Sequence, residues 1–279
     1  MIFHIVHRTL YTFSKPVFLE PHTVRLIPRN DPFQKIRDFK ISISPVPSGT
    51  SNILDMDGTV THFVWFNGMT DYLTIDVSCI VENNLENPFA FLLYPDSSES
   101  LLEYPAHILS QLRRELQTAA PVPVFQPIID FLLKTSEKDT VSFLMQLTEY
   151  CYTHFEYEAR LKGAPLPPQM TLAQRKGSCR DIAVLFMEVC RHAGIAARFV
   201  SGYYYDESNN RLPELHAWVE TYLPGAGWRG FDPSNGIMAA NNHIPLCVSP
   251  DPFLTVPIHG TYRGSARSTI AIDLSIKKE

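Results

Sequence analysis

Hydrophobic and polar positions alternate through much of the first hundred residues. The runs HIVHRTLYTF, HTVRLIP, FKISISPVP, THFVWF and YLTIDVSCIVEN are short and rich in β-branched and aromatic side chains, with Pro, Gly, Asn and Asp between them. That pattern predicts strands at the spacing of a sandwich-like or barrel-like unit. Near residue 100 the period changes. AHILSQLRREL, FQPIIDFLLK and TVSFLMQLTEYCYTHF carry apolar residues at helical spacing, as Phe143, Leu144, Leu147, Cys151 and His154 show. The change sets a boundary between Pro95 and Pro105, with a β-rich N-terminal domain over 1–100 and a second domain over 101–279.

Residues 156–176 contain Gly163, Pro165, Pro167 and Pro168 and read as a connecting loop. A helix follows in CRDIAVLFMEVCRHAG, then three strand-like runs, IAARFVSGYYY, ELHAWVETYL and WRGFD. The tail STIAIDLSI sets Ile270, Ile272, Leu274 and Ile276 on one face and Thr269, Ala271, Asp273 and Ser275 on the other, a half-buried strand. The fold class is therefore α+β, with strands before and after a helical segment.

The chain has 279 residues, 45% hydrophobic and 19% charged, enough for a real core. Its net charge of −5 supplies no basic field for a phosphate backbone, so no nucleic acid partner is expected. No apolar run approaches the roughly 20 residues of a membrane span. The start MIFHIVHRTLYTF alternates and lacks the charged-then-apolar layout of a signal peptide. The five cysteines, Cys79, Cys151, Cys179, Cys190 and Cys247, are odd in number and scattered, with no CxxC pair. That spacing argues against a disulfide framework or thiolate zinc site, and the expected compartment is the cytoplasm. His4 and His7 stand three apart on a predicted strand and point to opposite faces, so they cannot clamp one ion.

Cys179 opens the helix that Cys190 nearly closes. Ser178 is a good N-cap, Asp181 holds a capping-box position three residues on, and Gly194 suits the C-terminal stop. The first turn of a helix has unpaired N–H groups and a dipole that favours an anion. A thiolate is such an anion, and the same N–H groups can stabilise an oxyanion. Cys190 has neither advantage and reads as packing. Arg180 and Asp181 read as a solvated helix-start charge and a capping residue. A lone helix-start cysteine is more often structural, so the position needs partners before it carries chemistry.

Two partners are available. His216 alternates with Trp218, Glu220 and Tyr222 along ELHAWVETYL, and Asp232 ends the short strand GWRGFD before Pro233. The turn PGAG joins the two strands as an antiparallel pair, which can return Asp232 to His216. Singly, these are a strand histidine and a turn-initiating aspartate. With Cys179 they form an ordered Cys–His–Asp set, a nucleophile, a base and an orienting acceptor.

GSCRDIAVLFMEVCRHAGIAARFVSGY followed by LHAWVETYLPGAGWRGFDPSNG closely resembles the core of the bacterial transglutaminase-like proteins, a branch of the papain-like cysteine peptidase superfamily. HRTLYTFSKPVFLEPHTVRLIPR, with the later SPVP, resembles the β-rich region that precedes this core. The resemblance implies a helix bearing the cysteine packed on an antiparallel sheet. It also implies Cys179 as nucleophile, His216 as general base and acid, and Asp232 as orienting carboxylate. The chemistry implied is acyl transfer on amide or peptide bonds of a protein or peptide substrate, through a thioester, with no metal or organic cofactor. Hydrolysis is the expected outcome; glutamine transamidation, an arylamine-type acetyl transfer and a non-catalytic binding module are the alternatives. Trp218 is expected to pack against the site rather than to donate to the oxyanion.

Overall fold

The structure, a computed structural model, describes residues 1–94, 101, 103–119, 122–160, 163–207 and 214–279. The expected domain boundary falls partly on 95–100, outside the described residues. Before it lie β1 (Ile2–Val24), β2 (Gln34–Ser44), β3 (Gly49–Leu54), β4 (Val60–Trp65) and β5 (Met69–Asn83), in sheet order β2-β5-β1-β4-β3. HIVHRTLYTF and the first three residues of HTVRLIP, predicted as two strands, belong to the single long β1, which ends at Val24. Pro16, which has no N–H for the ladder, sits where the β1–β5 register shifts, between Thr12 and Val17, and pairing resumes beyond it. The exposed β3 carries no buried face and gave no apolar signal.

The middle of the chain is helical: α1 (Ala106–Leu109), α2 (Gln126–Thr135) and α3 (Thr140–His154). Phe143, Leu144, Leu147 and Cys151 of α3 are buried, as their spacing predicts, whereas His154 is exposed and stacks on Tyr150. AHILSQLRREL forms only the single turn of α1, which buries no residue and so has no packing to extend it. The expected loop at 156–176 holds more structure than its prolines indicate. Glu156–Tyr157 (β6) pairs in parallel with Lys176–Gly177 (β7), and α4 (Pro168–Gln174) starts on a proline, where a missing N–H costs nothing.

Next come α5 (Cys179–His192) and the strands β8 (Ala197–Tyr204), β9 (Leu215–Leu223), β10 (Gly227–Asp232), β11 (Ile237–Met238) and β12 (His243–Ser249). The five strands form an antiparallel sheet in the order β11-β10-β9-β8-β12. Phe186, Leu185 and Val189 of α5 pack with Leu144 and Leu147 of α3 and with Phe199, Val219 and Phe231 of the sheet. Fully burying one such side chain contributes about 1.5–3 kcal/mol. Tyr203, Ile244, Leu246 and Cys247 instead pack with Phe3, Ile5 and Leu19 of the first sheet. Strands of the core sheet therefore carry side chains for two separate cores, one against helices and one against the other sheet. His7 joins the two sheets, its Nδ1 2.8 Å from the Tyr203 hydroxyl and its Nε2 3.0 Å from Thr9 Oγ1. Burial pulls its pKa down to about 4 and keeps it neutral. His4 is exposed, so the two histidines do face opposite ways.

The last strands, β13 (Ile258–Arg263) and β14 (Ser268–Lys278), return to pair with β1. They fall within the expected domain 101–279 yet complete the N-terminal sheet. Alternation in STIAIDLSI marks a strand, but carries no information about which sheet it joins. Its apolar face is only partly covered: Ile276 is buried, while Ile272 remains exposed.

Candidate active site

The helix start is built as its sequence predicts, with added supports. The backbone N–H and the hydroxyl of Ser178 both donate to Asp181 Oδ2, at 2.9 and 2.6 Å. Asp181 is buried, and its other oxygen accepts from Leu166 N at 2.7 Å and the Arg160 guanidinium at 2.5 Å. Gly177 leaves room for this carboxylate, because a Cβ there would lie 2.8 Å from Asp181 Cβ. Arg180 is not simply a solvated charge; it is half-buried and donates to the Arg160 carbonyl. The result is a rigid first turn that holds Cys179 half-buried at the open end of α5.

The other cysteines differ sharply. Cys79, Cys151, Cys190 and Cys247 are buried, and burial pushes each of their thiols up, Cys79, Cys151 and Cys247 to about 12 and Cys190 well above its ordinary range. They pack as small apolar residues.

The structure brings Cys179, His216 and Asp232 together. His216 Nε2 lies 2.7 Å from Asp232 Oδ2, and the Cys179 sulfur stands beside the His216 ring, near enough to raise its pKa. With Nε2 engaged by the carboxylate, Nδ1 is the ring nitrogen left to a thiol. Burial disfavours the imidazolium. The charge and hydrogen bond of Asp232 outweigh it, the Cys179 sulfur adds to both, and the His216 pKa rises to about 10. Burial alone would raise Asp232, but His216 and His243 hold its carboxyl well below the usual range.

Asp232 divides its two oxygens. Oδ1 accepts from Ser234 N at 3.1 Å, Ser234 Oγ at 2.8 Å and Asn235 N at 3.2 Å, which is the turn expected of an aspartate before proline. Oδ2 takes His216, the Asn235 side-chain amide at 2.7 Å, and His243 Nε2 at 3.0 Å. Sequence reasoning missed His243. Its signal was the apolar run HIPLCVS, bounded by Asn242 and Pro250, whose first residue lands beside Asp232 only once β12 pairs with β8. His243 Nδ1 accepts from Ala240 N at 3.3 Å, which places the proton on Nε2 and makes it a donor to Asp232. Burial holds its pKa below the ordinary value, so it is neutral.

Trp218 packs behind the site, nearly parallel to the His216 ring at 6.2 Å and edge-on to His243 at 5.1 Å. It fits because Gly202 and Gly230 lie against it; a Cβ on Gly202 would fall 2.6 Å from its ring and 2.3 Å from the Ile244 carbonyl. The ligand atoms of His216, Asp232 and His243 lie within 4.8 Å of one another, a spacing open to a metal ion, and hydrogen bonds to the shared carboxylate already account for it. Among the described residues, no helix is long and apolar enough to cross a membrane.

Comparison with known proteins adds family to geometry. Residues 131–233 match the transglutaminase-like superfamily core, and residues 3–82 match the bacterial transglutaminase-like N-terminal region. The chain is 22% identical over 280 residues to the uncharacterized protein ML0607 of Mycobacterium leprae, covering 98% of each. It is 24% identical over 288 residues to the uncharacterized protein Rv2569c of Mycobacterium tuberculosis, covering 98% of this chain and 92% of that one. The fold is similar to the crystal structure of a "Putative Cysteine Protease" from Cytophaga hutchinsonii, with a TM-score of 0.73 and 18% identity, over 100% of this chain and 91% of that one. The chain thus carries a transglutaminase-like superfamily core over residues 131–233 and a bacterial transglutaminase-like N-terminal region over residues 3–82.

Proposed function

We propose that the protein is a cysteine-dependent acyl-transfer enzyme that opens amide or peptide bonds by hydrolysis. The observation that carries this reading is the chain of contacts from Cys179 through His216 to Asp232, with a 2.7 Å bond from imidazole to carboxylate. Cys179 is the nucleophile, His216 the base and acid, and Asp232 the group that fixes the imidazole tautomer and supports its charge.

With its proton already held on His216 Nδ1, the Cys179 thiolate attacks the carbonyl carbon, forming a C–S bond as the carbonyl π electrons move to oxygen. The resulting oxyanion lies by the Cys179 N–H, at a helix end where such groups lack intrahelical acceptors. Collapse re-forms the carbonyl and breaks the C–N bond, and His216 gives its proton to the departing amine. Water then adds to the thioester carbonyl as His216 takes a proton from it, and collapse breaks the C–S bond, releasing the acid and restoring the thiolate beside the protonated imidazole. An amine in place of water would give transamidation. A reducing compartment suits an enzyme that depends on one free thiol.

Iodoacetamide near neutral pH tests the nucleophile: rapid labelling of Cys179, lost in His216→Ala, is expected, and labelling at the rate of an ordinary surface thiol would favour a binding module. Incubation with a glutamine peptide, with and without a primary amine, separates hydrolysis from transamidation by product mass.

A further inference from the structure

A cavity lies where the loop after β1 and the segment after β5 meet the outer edge of β10. Among the described residues, one charge in its wall lacks a counter-charge. Arg29 donates to Asp31 at 2.7 Å and to Glu220 at 2.8 Å, and Glu220 also accepts from Arg198 at 2.6 Å, so both acids of the cavity wall are taken. Arg229, 8% exposed, has no carboxylate partner among the described residues, and its Nε finds no acceptor there. Its guanidinium lies 4.9 Å from the Phe91 ring centre and 5.4 Å from that of Phe33. Aromatic faces attract a cation but do not replace a counter-charge, and burial without one pulls the Arg229 pKa down. A guanidinium stays protonated regardless, so the charge persists as a standing demand for an anion.

We infer that this cavity, about 50 Å³ in volume and open to solvent, holds the carboxylate of a small monocarboxylate whose apolar body rests along its mouth. The guanidinium of Arg229 takes the carboxylate as a fork, and Phe33, Leu85, Pro88 and Trp228 line the wall for the apolar part. A dianion fits poorly, since Asp31 and Glu220 stand in the same wall. Neither Cys179 nor His216 lines the cavity, so the site is separate from the acyl-transfer centre. It touches that centre from behind, through Trp218 and His243. This assignment stands whether or not Cys179 is a nucleophile.

Calorimetric titration of the full chain with benzoate, benzamide and inorganic phosphate tests it. Saturable benzoate binding at one site is expected, with benzamide and phosphate weaker by roughly tenfold or more, as loss of a charged hydrogen bond implies. Arg229→Met, checked for folding by circular dichroism, should lose benzoate by a similar factor, and Arg229→Lys should weaken it less. If that variant fails to fold, the benzoate and benzamide comparison on wild type still decides. Equal binding of benzoate and benzamide, phosphate without benzoate, no binding of any probe, or unchanged affinity in Arg229→Met would each overturn the assignment.

Discussion

His243 donates from Nε2 to the same Asp232 oxygen that His216 holds, at 3.0 Å. Two imidazoles thus converge on one buried carboxylate, but in different states: burial keeps His243 neutral, while His216 is charged to about pH 10. A neutral donor lowers the basicity of the carboxylate without competing for its charge, and it pins Oδ2 in the direction His216 needs.

Replacing His243 by Phe removes that donor from a buried charge-bearing group. The expected loss in the Cys179 labelling rate is about tenfold, and the acid limb of its pH profile moves to higher pH as Asp232 becomes easier to protonate. His243→Gln, whose amide can reach in place of Nε2–H, should restore part of the rate. A packing defect alone would lower stability and leave the limb where it was.

The His216–Asp232 pair also links stability to pH. The folded His216 pKa, about 10, exceeds its ordinary 6.5, so its contribution is complete below 6.5 and is lost as pH rises through about 10. The Asp232 carboxyl is depressed below its ordinary 3.8, so its contribution is present above 3.8 and is lost as pH falls through the lower folded value. The difference in melting temperature between wild type and His216→Ala should therefore be largest between about pH 4 and 6.5 and shrink toward pH 10. A difference that grows with pH across that range would contradict the ion pair.

What the sequence makes legible here follows the range of the interaction. Ser178, Asp181 and Cys179 lie within four residues of one another, so helix-start chemistry can be read from the string. His216 and Asp232 are joined by one tight turn, PGAG, and antiparallel return is the local default for such a turn. His243 is ten or more residues from either, on a strand that joins the far side of β8, and nothing local announces its place. The same limit applies to β14, legible as a strand but not as a partner of β1, and to Arg180, whose acceptor on Arg160 lies across a loop. Pro16 misleads in the opposite direction, since β1 continues through it by shifting register.

Glu220 ties the loop after β1 to the core sheet, accepting from Arg29 and Arg198. These cations bring its pKa down to about 2 against the opposing push of burial. Glu220→Leu leaves two guanidinium groups without their shared acid in a poorly hydrated site, and a loss of about 3 kcal/mol is expected. Urea unfolding followed by both far-ultraviolet dichroism and tryptophan fluorescence measures it; a change under about 0.5 kcal/mol would show the network to be as weak as a surface pair.

Gly202 controls how closely β8 approaches β12 and Trp218. A methyl group there meets the Ile244 carbonyl at 2.3 Å, a backbone atom that can yield only if the strands part, and the Trp218 ring at 2.6 Å. Overpacking of this kind costs about 1–3 kcal/mol, occasionally more. Trp218 lies beside both His216 and His243, so its displacement reaches the carboxylate they share. Gly202→Ala should therefore lower the melting temperature, alter the near-ultraviolet tryptophan signal and slow Cys179 labelling together. Stability lost with labelling intact would mean that the strands part without moving Trp218, and that the indole does not hold the imidazole in place.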